Sequence, residues 1–89
     1  MTELIEALKC KQLVEFTYSG KKRTAEIYVI GIGTSGEVLV RAYERFKEFK
    51  LFKYNKISKI KVLNQRFSYN RPDYNKDGDK AIVEVLFQV

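Results

Sequence analysis

Short apolar–polar alternations, each closed by turn-forming residues, recur along almost the whole chain and leave little choice of fold. Leu13–Tyr18 sets Val14, Phe16 and Tyr18 on one face and Glu15 and Thr17 on the other. A period of two marks a strand, because successive side chains of extended backbone point to opposite faces. Ser19-Gly20-Lys21-Lys22 supplies a glycine-containing turn, so a hairpin follows. Arg23–Ile32 is the returning strand, β-branched and aromatic, with Ala25, Ile27 and Val29 on one face. Gly31, Gly33 and Gly36 then mark a second hairpin turn. They lack the Lys-Ser/Thr ending and following helix that a phosphate-binding loop requires.

Glu37–Tyr43 reads as a third strand, with Val38, Val40 and Ala42 opposing Leu39, Arg41 and Tyr43. Arg45–Glu48 is a charged loop and Phe49–Lys53 a fourth strand. Tyr54–Ile57 reads as one helical turn, and Ser58–Leu63 as a fifth strand with Ile60 and Val62 inward and Lys59 and Lys61 outward. Residues 70–79 hold the only proline and most of the turn formers, hence a long loop, and Ala81–Val89 closes as a sixth strand with Val83, Val85, Phe87 and Val89 on one face. At the other end, Thr2 as N-cap with Glu3 in the first turn opens a short helix running to Lys11, with Leu4, Ile5 and Leu8 as its apolar stripe and Cys10 a half-buried filler. The expected fold class is mainly β: a small, strongly bent antiparallel barrel of five to six strands with one short N-terminal helix. Eighty-nine residues support one core, so residues 1–89 form a single domain: helix 2–11, barrel 13–67, loop 70–79, final strand 81–89.

Composition narrows the chemistry. There is no histidine and one cysteine, Cys10, so no internal disulfide, Cys–His or Ser–His–Asp device or structural zinc site can be assembled. That, with carboxylate pairs such as Glu15 and Glu26 held in no evident cleft, argues against an enzyme and implies no cofactor. The unpaired cysteine and the lack of a signal-peptide apolar region fit a cytoplasmic setting, and no apolar run reaches the roughly 20 residues of a membrane span.

The net charge of +6 is local. Between Arg41 and Leu63 eight Lys and Arg face only Glu44 and Glu48, and elsewhere the charges cancel. A basic segment interleaved with aromatics is the composition of a surface that tracks phosphates and stacks bases.

The runs LVEFTYSGKKRTAEIY, GEVLVRAYE and FKLFKYNKISKIKVLNQRF together resemble the WYL domain of bacterial and phage regulators. Phe16 and Tyr18 match its aromatic-ended first strand, Arg23 with Glu26 and Tyr28 its second, Phe52-Lys53-Tyr54-Asn55-Lys56-Ile57 its basic strand and turn, and Phe67 closes the match. Departures are definite: the name-giving Trp-Tyr-Leu falls on Val38, Leu39 and Val40, the proline after the second-strand acid is Ile27, and the arginines of the basic strand and turn are Lys53 and Lys56. The resemblance implies an SH3-type, Sm-like barrel in a regulator, here a stand-alone copy without the usual helix-turn-helix. It also implies ligand sensing or single-stranded nucleic-acid binding, often in a dimer.

The candidate ligand-binding set is therefore Arg23, Arg41, Tyr43, Lys50, Phe52, Lys53 and Lys56, meeting single-stranded nucleic acid or a nucleotide-type anion. The competing reading makes Phe46, Phe49 and Phe52 core and the lysines solubilising edge charges, with Arg23 paired to Glu15 or Glu26. A different class of function is a homo-oligomerising interaction or assembly module working through exposed strand edges, without nucleic acid. Finally, Asp73, Asn75, Asp77, Asp79 and Glu84 satisfy the spacing of an EF-hand calcium loop. Pro72 before it, a strand after it and Lys80 within it favour a polar hairpin loop instead, and no metal is assigned.

Overall fold

The computed structural model describes residues 1–67, 71 and 80–89. Helix α1 (Thr2–Cys10) is followed by strands β1 (Gln12–Tyr18), β2 (Lys21–Gly33), β3 (Val38–Glu44), β4 (Phe49–Lys53), β5 (Ser58–Arg66) and β6 (Ile82–Gln88), with a 3-10 turn at Tyr54–Lys56. The expected fold class holds: six antiparallel strands in one sheet and one short N-terminal helix.

The sheet order is β4-β3-β2-β1-β5, with β6 added to β2. Strand β2 is long enough to serve two partners along one edge, pairing with β1 from Lys21 to Glu26 and with β6 from Val29 to Gly33. Its other edge carries β3. The end strand β4 is tied back to β1 by Tyr18, whose hydroxyl on β1 accepts the Lys53 N–H of β4 at 3.1 Å while its ring meets Phe52 edge-on at 4.9 Å. Inside lie Val14, Phe16, Ala25, Ile27, Ile30, Val40, Ala42 and Phe52, covered by Leu4, Ala7 and Leu8 of α1.

A second cluster sits on the other side of the sheet, built on Tyr28, Val29, Leu39 and Ile82. Its origin is a β-bulge in β2 between Ile27 and Val29. The extra residue reverses the alternation, so Ala25 and Ile27 face the inner core as expected while Val29 turns to the second cluster. Two further register shifts, between Ile30 and Gly31 and between Ile32 and Gly33, act likewise where β6 pairs. The expected common face of β6 is thereby split: Phe87 packs on the inner core, Ile82 is buried in the second cluster, and Val83 and Val85 are exposed.

Other local expectations change too. Thr2 is the first helical residue and Met1 occupies the cap position, its amino group donating to the Tyr54 hydroxyl at 2.7 Å. Cys10 is exposed, since two residues past Leu8 lies about 200° around the helix from the buried stripe. Gly31 is strand interior, not turn: a Cβ there would overlap the Ile82 side chain and the Glu84 carbonyl where β6 crosses.

Candidate functional site

The seven residues expected to form one surface are divided by the sheet. In the β3–β4 register, Val40 faces Phe52 and Ala42 faces Lys50, whereas Arg41 faces Leu51, Tyr43 faces Phe49 and Leu39 faces Lys53. Phe52 is buried at 2 % exposure against Phe16 and Tyr18, so its ring is core and cannot stack on a base. Tyr43 lies on the opposite face, packed edge-on against Phe49 and covered by Arg71. Arg41 is half-buried on Tyr43's face, and Lys53 and Lys56 are exposed. Of the calcium-loop residues, Asp73, Asn75, Asp77 and Asp79 fall outside the described residues, and Glu84 is exposed in β6 opposite Ile32.

Two of the seven do converge, on a carboxylate the sequence reading left aside. Glu44, at the end of β3, has a side chain only 5 % exposed and faces Ala25 across the sheet. Its Oε1 accepts from Lys50 Nζ at 2.8 Å and from Arg23 Nη1 at 3.0 Å, and its Oε2 lies 3.3 Å from Lys47 Nζ. Burial alone would raise the Glu44 carboxyl's pKa, but the hydrogen bonds from Lys50, Arg23 and Lys47 outweigh it and hold it at about 2. Arg23 further lies over the Tyr18 and Phe52 rings, 5.8 and 5.9 Å from their centroids. Three cations around one carboxylate leave an excess of positive charge.

The excess borders an open groove of about 560 Å³ between the β3–β4 turn (Glu44, Arg45, Phe46, Lys47), Lys22 and Thr24 of β2, and Leu63 and Gln65 of β5. Two of its surroundings carry spare donors: Nε of Arg45 and Nε of Arg23 are buried without a hydrogen-bond partner among the described residues. The turn is anchored by Arg45 N–H donating to the Thr24 carbonyl at 2.8 Å and Glu44 N–H donating to the Glu48 carbonyl at 2.9 Å. At its tip Phe46 holds a left-handed backbone, φ 63°, and is 87 % exposed. Both features are unfavourable for a phenylalanine: left-handed backbone is strained for bulky side chains, and the ring gains nothing from burial. Arg45 lies beside the ring, its Cζ 5.1 Å from the centroid.

Phe46 thus departs from the alternative reading in which Phe46, Phe49 and Phe52 are all core; Phe52 is core and Phe49 packs half-buried on the second cluster. The turn's role was hidden because a four-residue charged loop has no periodicity to read. The available signal was a phenylalanine flanked by Arg45 and Lys47 between two strands.

No family model, curated protein or solved structure matches the chain.

Proposed function

We propose that this domain is a regulatory binding module for single-stranded nucleic acid or a nucleotide-type anion, of the kind the WYL-like sequence pattern implies. The observation that carries the reading is Phe46: an exposed ring on a strained turn, with Arg45 beside it, Lys47 and Lys22 on the groove, and the cation-rich Glu44 cluster behind. Single strands are held by aromatic faces that stack on bases and cations that follow phosphates, and this turn offers both within one groove. Lys50 and Arg23 contribute through the electrostatics of the Glu44 cluster. No catalytic step is assigned.

The test is binding of a labelled single-stranded oligonucleotide across a salt series. Three to four engaged cations give a log–log salt slope of about −2 to −3 at roughly 0.7 per phosphate. Phe46→Ala removes a stack and weakens binding by about 1–3 kcal/mol, and Arg45→Glu with Lys47→Glu abolishes it. Absence of binding at low salt overturns the proposal.

A second reading rests on β6. Among the described residues β6 pairs only with β2, and it exposes Val83, Val85 and Leu86. An apolar edge strand is a template for strand addition, which suits a homo-oligomeric interaction module. Light scattering decides: a strict monomer at high concentration removes this reading and leaves the first untouched.

A further inference from the structure

On the side of the sheet away from the inner core, β2 buries a second carboxylate. The side chain of Glu26 is 3 % exposed, and a buried anion persists only with a well-placed counter-charge. The counter-charge comes from 45 residues away. Arg71 Nε donates to Glu26 Oε1 at 3.1 Å and Arg71 Nη2 donates to Oε2 at 2.8 Å, the two-pronged pairing that a planar guanidinium makes and an ammonium does not. Tyr28 Oη donates to the same Oε1 at 3.0 Å and accepts the Arg71 backbone N–H at 2.9 Å. The guanidinium lies over the Tyr43 ring, Cζ 4.2 Å from its centroid.

Everything that recognises the cation belongs to the sheet. Glu26 and Tyr43 are register partners across β2 and β3, so the carboxylate and the aromatic plane are adjacent whatever fills the space between them. Phe49 of β4 sets both rings, meeting Tyr28 at 5.1 Å and Tyr43 at 5.3 Å, and Phe67 backs Tyr28 at 5.4 Å. Arg71 lies outside every strand, and its side chain keeps 36 % of its surface in solvent, so the space opens outward. Glu26 raises the Arg71 pKa further, and burial keeps the Tyr28 phenol protonated as a donor well beyond its ordinary range.

We infer that Glu26, Tyr28 and Tyr43 form a preorganised guanidinium-binding site, filled in cis by Arg71 and able to accept a guanidinium cation from solution once Arg71 is removed. The ligand class is a guanidinium cation, as borne by an arginine side chain, and the chemistry selects it over lysine: only a flat, forked cation satisfies both carboxylate oxygens and the ring face at once. The site is separate from the Phe46 groove and stands or falls independently of it.

The experiment is chemical rescue followed by thermal melting. Arg71→Ala melts below the wild type, and low-millimolar guanidinium chloride raises its midpoint saturably, as mass action requires for a ligand of the folded state. Ammonium and sodium chloride at equal ionic strength give no such rise. Wild type, whose site is occupied, does not respond, and neither does Arg71→Ala combined with Glu26→Gln. A melting point indifferent to guanidinium, or raised equally by ammonium, overturns the assignment. If Arg71→Ala does not fold, wild-type NMR decides: a slowly exchanging Arg71 Nε–H that becomes fast-exchanging in Glu26→Gln supports the site, and one that exchanges freely in the wild type refutes it.

Discussion

Arg23 Nη1 donates to Glu44 Oε1 at 3.0 Å, joining the first residues of β2 to the last residue of β3 beneath the turn that carries Phe46. Neither side chain is much exposed, at 13 % and 5 %, so the pair is close to a buried one. Removing one partner of such a pair leaves the other charged and poorly solvated, at a cost of about 3–5 kcal/mol. Glu44→Ala therefore destabilises on that scale in urea unfolding. In the variants that fold, polyanion affinity rises, because the groove loses its one negative side chain. A loss of both stability and affinity would detach Glu44 from the groove.

The same carboxylate sets a pH window. Its pKa is about 2 in the folded protein against an ordinary 4.5, a depressed value, so its stabilisation is complete above about 4.5 and disappears as pH falls toward 2. At 1.36 kcal/mol per unit this amounts to about 3 kcal/mol. The stability difference between wild type and Glu44→Gln shrinks progressively as pH falls through that interval. A difference that stays constant with pH contradicts the depressed value.

Phe46 and Phe52 flank one hairpin and respond oppositely to truncation. Phe52→Ala opens a hole beside Phe16 and Tyr18 and costs about 3–5 kcal/mol. Phe46→Ala removes an exposed ring and changes stability by no more than about 0.5 kcal/mol. Phe46→Gly relieves the left-handed backbone and is at least as stable as the alanine variant. Oligonucleotide binding weakens by about 1–3 kcal/mol in both Phe46 variants. Denaturant midpoints and binding isotherms measured on the same samples separate the two roles.

Legibility followed periodicity. Val14 and Phe16 on β1, and Ile60 and Val62 on β5, stay on the core side even though these two strands shift register between Glu15 and Thr17, and their inward placement is readable directly. Val29, Val83 and Val85 sit beyond register shifts, and a bulge leaves no mark in a composition of β-branched residues. The strand pairing that puts Arg41 and Tyr43 on one face and Lys50 and Phe52 on the other was already implied by their odd and even positions. What the alternation could not reveal is which face is enclosed, because this sheet packs apolar residues on both. Glu44 and Glu26 were invisible for a different reason. Each owes its role to cations placed by the fold, and Arg71 is 45 residues from its carboxylate.

Gly31 ties the bulged part of β2 to β6. It pairs with Leu39 on one side and Val85 on the other, and a side chain there would enter the Ile82 methyl and the Glu84 carbonyl. The carbonyl belongs to backbone and cannot rotate aside, so Gly31→Ala must push β6 away from β2. Overpacking of this kind costs about 1–3 kcal/mol. The damage is directional. Amide hydrogen exchange accelerates along Ile82–Gln88, while the β1–β2 and β3–β4 ladders, whose contacts do not involve β6, keep their protection. Uniform loss of protection across all strands would show that β6 is part of the barrel's cooperative unit, and unchanged exchange would show that β6 does not cross Gly31 as closely as described.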